Sequence, residues 1–82
     1  MVIRVYREAQ TGDWITTIPI HQRDDFRSFA SEIRLPCTFQ KAGSNGLMIR
    51  ISSGLTRRDV QEHFDFFFDG IATVEVQAPE KR

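Results

Sequence analysis

Two β-rich runs open the chain, Val2 to Glu8 and Trp14 to Ile20, with Thr11-Gly12-Asp13 between them. Apolar residues on one face of each run and a turn signal between them predict a β-hairpin. A two-residue loop at Thr11-Gly12 would set Ala9 against Trp14, Val5 against Ile18 and Ile3 against Ile20. Arg4, Tyr6, Thr17 and Pro19 would then share the other face. Pro19 has no N–H to offer a neighbouring strand, so the end of the second run is expected at a sheet edge.

The period then changes. Between Gln22 and Arg34, the residues Phe26, Phe29, Ala30 and Ile33 follow the i, i+3, i+4, i+7 spacing of a helix with one buried stripe. Leu35-Pro36 ends it, because a residue before proline is pushed out of helical geometry. Alternation returns from Cys37 to Gly43 and from Leu47 to Ser52. A two-residue turn at Asn45-Gly46 would leave Cys37 and Phe39 on the face opposite Leu47, Ile49 and Ile51. A three-residue loop, Ser44-Asn45-Gly46 with Gly46 left-handed, brings all five onto one face, and the hydrophobic pattern selects it.

Thr56 to Phe68 is the best specified helix. Thr56 and Asp59 have the spacing of a capping box, and Leu55 and Val60 that of a hydrophobic staple. Gly70 stops the helix. From Ala72 to Gln77, inward Ala72, Val74 and Val76 alternate with outward Thr73, Glu75 and Gln77, which predicts a fifth strand. The order ββαββαβ predicts an α+β two-layer sandwich, a five-stranded, mainly antiparallel sheet with two helices on one face. Residues 14–77 alone read βαββαβ, the order of ferredoxin-like domains. In that sheet a tight hairpin from the first run competes for a place beside the second, so either the hairpin is looser or the strand order departs from the ferredoxin-like one. Residues 1–78 are expected to form a single domain and 79–82 a flexible tail.

Lys plus Arg and Asp plus Glu both total 11, so the net charge is zero and no global attraction draws the chain to a polyanion. One cysteine, Cys37, forms no intramolecular disulfide, which suits a cytoplasmic setting. Its place on the inward face suits a small buried hydrophobe. The longest apolar run, Phe66-Phe67-Phe68, is far too short to cross a membrane. His21, His63 and Cys37 have no metal-ligand spacing, and neither a nucleophile with its base nor a phosphate loop is visible. The expectation is therefore a non-catalytic chain with no metal and no cofactor.

The remaining signal is Phe64-Asp65-Phe66-Phe67-Phe68, four phenylalanines in five residues. At about 100° per residue, Val60, Phe64, Phe67 and Phe68 share one side of the second helix, and Phe66 falls opposite Phe64 with Asp59 and Glu62. A lone ring with Asp59, Glu62 and His63 around it fits a protein interface, where an aromatic anchor sits within a polar rim. The expected function is a small adaptor or inhibitor whose partner is another protein, or a second copy in a homodimeric structural protein. The alternative is a sheet face that takes single-stranded nucleic acid through Arg4, Tyr6 and Arg50.

Overall fold

A computed structural model of the protein describes residues 1–77, and the expected tail, 79–82, lies outside the described residues. Strands β1 (Val2–Arg7) and β2 (Trp14–Pro19) lead through a short 3-10 turn, Ile20–Gln22, into helix α1 (Arg23–Glu32). Strands β3 (Cys37–Ala42) and β4 (Gly46–Ile51), helix α2 (Arg57–Phe67) and strand β5 (Thr73–Gln77) complete the ββαββαβ order. The sheet runs β3-β4-β2-β1-β5, antiparallel throughout except for the β1–β5 pair. Without β1, the order of the other four strands is that of a ferredoxin-like sheet. β1 is wedged between β2 and β5.

Both expected hairpin registers are displaced by two residues. Val5 faces Thr16, not Ile18, and Arg7 faces Trp14, so the connection is the wide Glu8–Asp13 loop. Arg7 secures that loop: its Nε donates to the Gly12 carbonyl at 2.9 Å and its Nη2 to the Ser53 carbonyl at 3.3 Å. Its guanidinium also lies 4.8 Å from the centre of the buried Trp14 ring, a cation–π distance. In the second hairpin Ala42 pairs with Gly46 across Gly43-Ser44-Asn45. The left-handed residue is Gly43, at φ 69°, and Gly46 is glycine for another reason. A Cβ on Gly46 would stand 2.7 Å from the Ala42 carbonyl oxygen. Because strand side chains alternate with period two, a shift of two keeps Ile3, Val5, Trp14 and Ile18 inward, while Ala9 falls in the loop and is exposed and Ile20 passes into the 3-10 turn.

Pro19 sits past the part of β2 that pairs with β1, which covers residues 14–16, while its other side stays paired with β4. The missing N–H therefore breaks no bond in the ladder. Thr16, the one buried polar residue among the described residues, donates its hydroxyl to the Arg4 carbonyl at 2.7 Å.

Helix α1 ends earlier than expected. Ile33 is its C-cap and is exposed, so it leaves the predicted stripe, and Leu35 is buried in its place. Arg34 takes φ 56°, with its N–H bonded to the Ser31 carbonyl and the Leu35 N–H to the Ala30 carbonyl. This pair of bonds is a Schellman motif, which folds Leu35 back onto the core. Helix α2 starts as predicted: Thr56 Oγ1 accepts from the Asp59 N–H at 3.1 Å, and the Thr56 N–H donates to Asp59 Oδ2 at 3.4 Å.

One core joins the layers: Ile3, Val5, Trp14, Ile18, Leu47, Ile49, Ile51, Val74 and Val76 from the sheet, with Phe26, Phe29, Val60, Phe64 and Phe68 from the helices and the residue that caps α2. Phe26 is its hub, with ring centres 5.4 Å from Phe64 and 5.0 Å from Phe67. Truncating Phe64 to alanine should cost about 3–5 kcal/mol, enough to unfold much of a domain of this size. Arg34→Gly should instead raise stability by about 0.5–1 kcal/mol, since glycine accepts positive φ without a Cβ clash. Urea denaturation of the two variants beside the parent protein measures both.

Candidate functional site

Helix α2 cannot bury all of its aromatic end. Phe64 and Phe68 are fully enclosed, and Phe67 is half-buried against Phe26, Phe29 and Phe68. Phe66 is 75% exposed. Its ring is nonetheless held, stacked on Phe29 of α1 at 5.9 Å and 23°. Phe29 is the support that reading one helix at a time misses, because it comes from the other helix.

The other predicted residues of this face have different positions and duties. Asp59 is half-buried and occupied by the capping box. Glu62 is exposed and pairs loosely with Arg58 at 3.7 Å. His63, one turn before Phe66, is half-buried. Asp69, not among the predicted residues, lies three positions after Phe66 and donates its N–H to the Phe66 carbonyl at 3.4 Å. Asp65 accepts from Gln61 Nε2 at 3.0 Å. The last turn of α2 contains no basic residue. Asp65 and Asp69 thus stand where the helix dipole disfavours negative charge, a cost that the Gln61 bond offsets for Asp65.

The three residues expected for a nucleic-acid face, Arg4, Tyr6 and Arg50, do share the outer side of the sheet, with Ile15 buried between Tyr6 and Arg50. Tyr6 is half exposed. Both arginines are engaged with acids. Arg4 Nε lies 3.4 Å from Glu75 Oε1, and Arg50 Nη1 donates to Glu8 Oε1 at 2.7 Å and to Asp13 Oδ2 at 3.2 Å. The hydrogen bonds from Arg50, and then from the Thr11 hydroxyl, hold the Glu8 carboxyl below its usual value of 4.5.

Next to that cluster is an open depression of about 470 Å³ lined by Asp13, Pro36, Cys37, Thr38, Arg50 and Ser52. Burial pushes the Cys37 thiol up from its usual value, which keeps it protonated and a poor nucleophile. His21 stands in the 3-10 turn before α1. Among the described residues no three His, Cys, Asp or Glu side chains converge as metal ligands, and no helix is long and apolar enough to cross a membrane. Comparisons with protein families, with curated proteins and with solved structures return no match to this chain.

A carboxylate whose folded pKa is depressed contributes stability that is present above its unfolded value and is lost as pH falls through the folded value. Replacing Glu8 by glutamine should therefore lower stability most at pH values above 4.5. The gap to the parent protein should close as the pH drops below that point. Denaturant midpoints for both proteins across an acid pH series read this convergence.

Proposed function

We propose that the protein is a small, non-catalytic binding module of the adaptor or inhibitor type, and that another protein docks on the exposed face of α2. The observation that carries this reading is Phe66, a ring left 75% exposed yet stacked on Phe29. An anchor already held in place loses little side-chain freedom on binding, so more of its buried area appears as affinity. Glu62 and Asp69 flank it at helical spacing, His63 lies one turn before it, and Asp59, about two turns away, is taken up by the capping box. A fitting partner has an apolar pocket the size of a phenyl ring, bordered by lysine or arginine. A protonated, half-buried Cys37 suits the reducing cytoplasm.

The sheet-face alternative receives less support. A phosphate backbone binds through cations that can exchange their counterions, and on this face Arg4 and Arg50 are already matched by Glu75, Glu8 and Asp13.

Phe66→Ser separates a docking ring from a merely structural one. The variant should lose no more than about 1 kcal/mol, the scale of one aromatic pair. It should also fail to retain the protein that the native chain retains in affinity capture, with the contact confirmed by cross-linking. A partner held equally well by both chains, or a loss of several kcal/mol in the variant, would overturn the proposal.

A further inference from the structure

The two borders of the sheet are finished differently. At β5 the backbone groups of Val74 and Val76 point away from β1, and α2 covers their carbonyls: Gln61 Nε2 donates to Val74 and Arg57 Nε to Val76, each at 3.0 Å. A partner strand cannot pair there without displacing both side chains. At β3 no such cover exists. The Ser52 N–H donates to the Pro36 carbonyl at 2.9 Å, which sets the phase of the β3–β4 ladder. Thr38, Gln40 and Ala42 therefore turn their backbone groups toward β4, and Cys37, Phe39 and Lys41 turn theirs outward. Among the described residues no hydrogen bond reaches these outward groups.

A row of cations runs above this open edge. The Arg27 guanidinium lies 5.5 Å from the centre of the Phe39 ring, so this flank of α1 overhangs β3. Arg23 is one turn earlier on the same flank, and Arg34 follows the helix toward the start of β3. Lys41 projects on the helix side by alternation with Phe39. Among the described residues, none of Arg27, Arg34 and Lys41 forms an ion pair, and Arg23 has only its neighbour Asp24.

We propose that the β3 edge accepts an extended acidic segment of another protein as a sixth strand, with carboxylates at alternate positions facing Arg27 and Lys41. The backbone of the segment would pair with Cys37, Phe39 and Lys41, and its alternate side chains would reach the cations. A second copy is the poorer occupant, because two-fold pairing of β3 would bring two arginine flanks together as like charges. This surface lies on the border opposite β5 and does not depend on the reading of Phe66.

The test uses a short blocked peptide of alternating glutamate and valine, with an alternating lysine and valine peptide as control, and follows amide exchange by NMR. Saturating acidic peptide should slow exchange at Cys37, Phe39 and Lys41 by about tenfold or more and leave the already paired Thr38, Gln40 and Ala42 unchanged. Lys41→Pro removes one outward donor without touching the β4 ladder, and should abolish the slowing while the protein stays folded. Arg27→Glu combined with Lys41→Glu should reverse the preference to the lysine peptide. Unchanged exchange at the three amides, equal binding of both peptides, or slowing that follows protein concentration without peptide and so marks a second copy would each overturn the proposal.

Discussion

The geometry of α2 sets the terms for the rest of the molecule. A helix advancing about 100° per residue cannot turn four closely spaced rings to one side, and in this chain Phe64, Phe67 and Phe68 take the inner side. Phe64 and Phe67 meet Phe26, Phe68 packs on both of them, and together they close the space between the two helices and the sheet. The fourth ring is displaced by the success of the other three. Phe66 then meets Phe29 from outside, and the same stack that supports the exposed ring also covers part of the core.

The insertion of β1 has consequences at both of its sides. Had β2 and β5 been direct neighbours, β1 would have needed a place on an outer border. By running antiparallel to β2 and parallel to β5, it becomes an inner strand whose Ile3 and Val5 are buried under the helices. The parallel pairing needs no local turn, because the chain reaches β5 only after crossing the other layer through α2. The antiparallel pairing spans Glu8–Asp13, a loop closed by the Glu8 N–H donating to the Asp13 carbonyl and the Gly12 N–H to the Glu8 carbonyl, each at 2.8 Å. Arg7 over Trp14, with its bonds to the Gly12 and Ser53 carbonyls, ties that loop to the rest of the molecule, and Trp14 is itself tied by its Nε1 donating to the Leu55 carbonyl at 3.0 Å. The first hairpin, the loop before α2 and the start of that helix are thereby joined at one buried indole.

Properties decided by local periodicity were legible in the sequence. Element order, the inward set of each strand, the Thr56–Asp59 capping box and the outward turn of Phe66 all follow from spacing within one segment. Register was less legible, since a shift by two residues preserves the same faces and the hydrophobic pattern is blind to it. The choice between Gly43 and Gly46 as the left-handed residue also depended on a neighbour in space: Thr17 Cγ2 and the Ala42 carbonyl leave no room for a Cβ at Gly46. Ile33 kept its helical spacing but lost its burial because Arg34 entered the left-handed region and delivered Leu35 to the core instead. Strand order, the stacking of Phe29 on Phe66 and the pairing of Arg50 with Glu8 join residues far apart in the chain. No periodicity within one element encodes them.

A net charge of zero leaves local groups of like charge on the surface. Glu62 and Asp65 lie on α2 and Asp69 just after it, while Arg27 and Lys41 stand by β3, though α1 also carries Asp24, Asp25 and Glu32 and α2 also carries Arg57 and Arg58. The molecule extends 38 Å along its longest axis, and salt at physiological strength screens exposed charges beyond about 8 Å. An exposed charge therefore acts mainly on what lies close to it. The balance of 11 basic and 11 acidic residues removes long-range attraction to any polyanion. The two sheet borders differ: α2 seals the border it covers by donating to β5, and the border beneath the cationic flank of α1 keeps its backbone open.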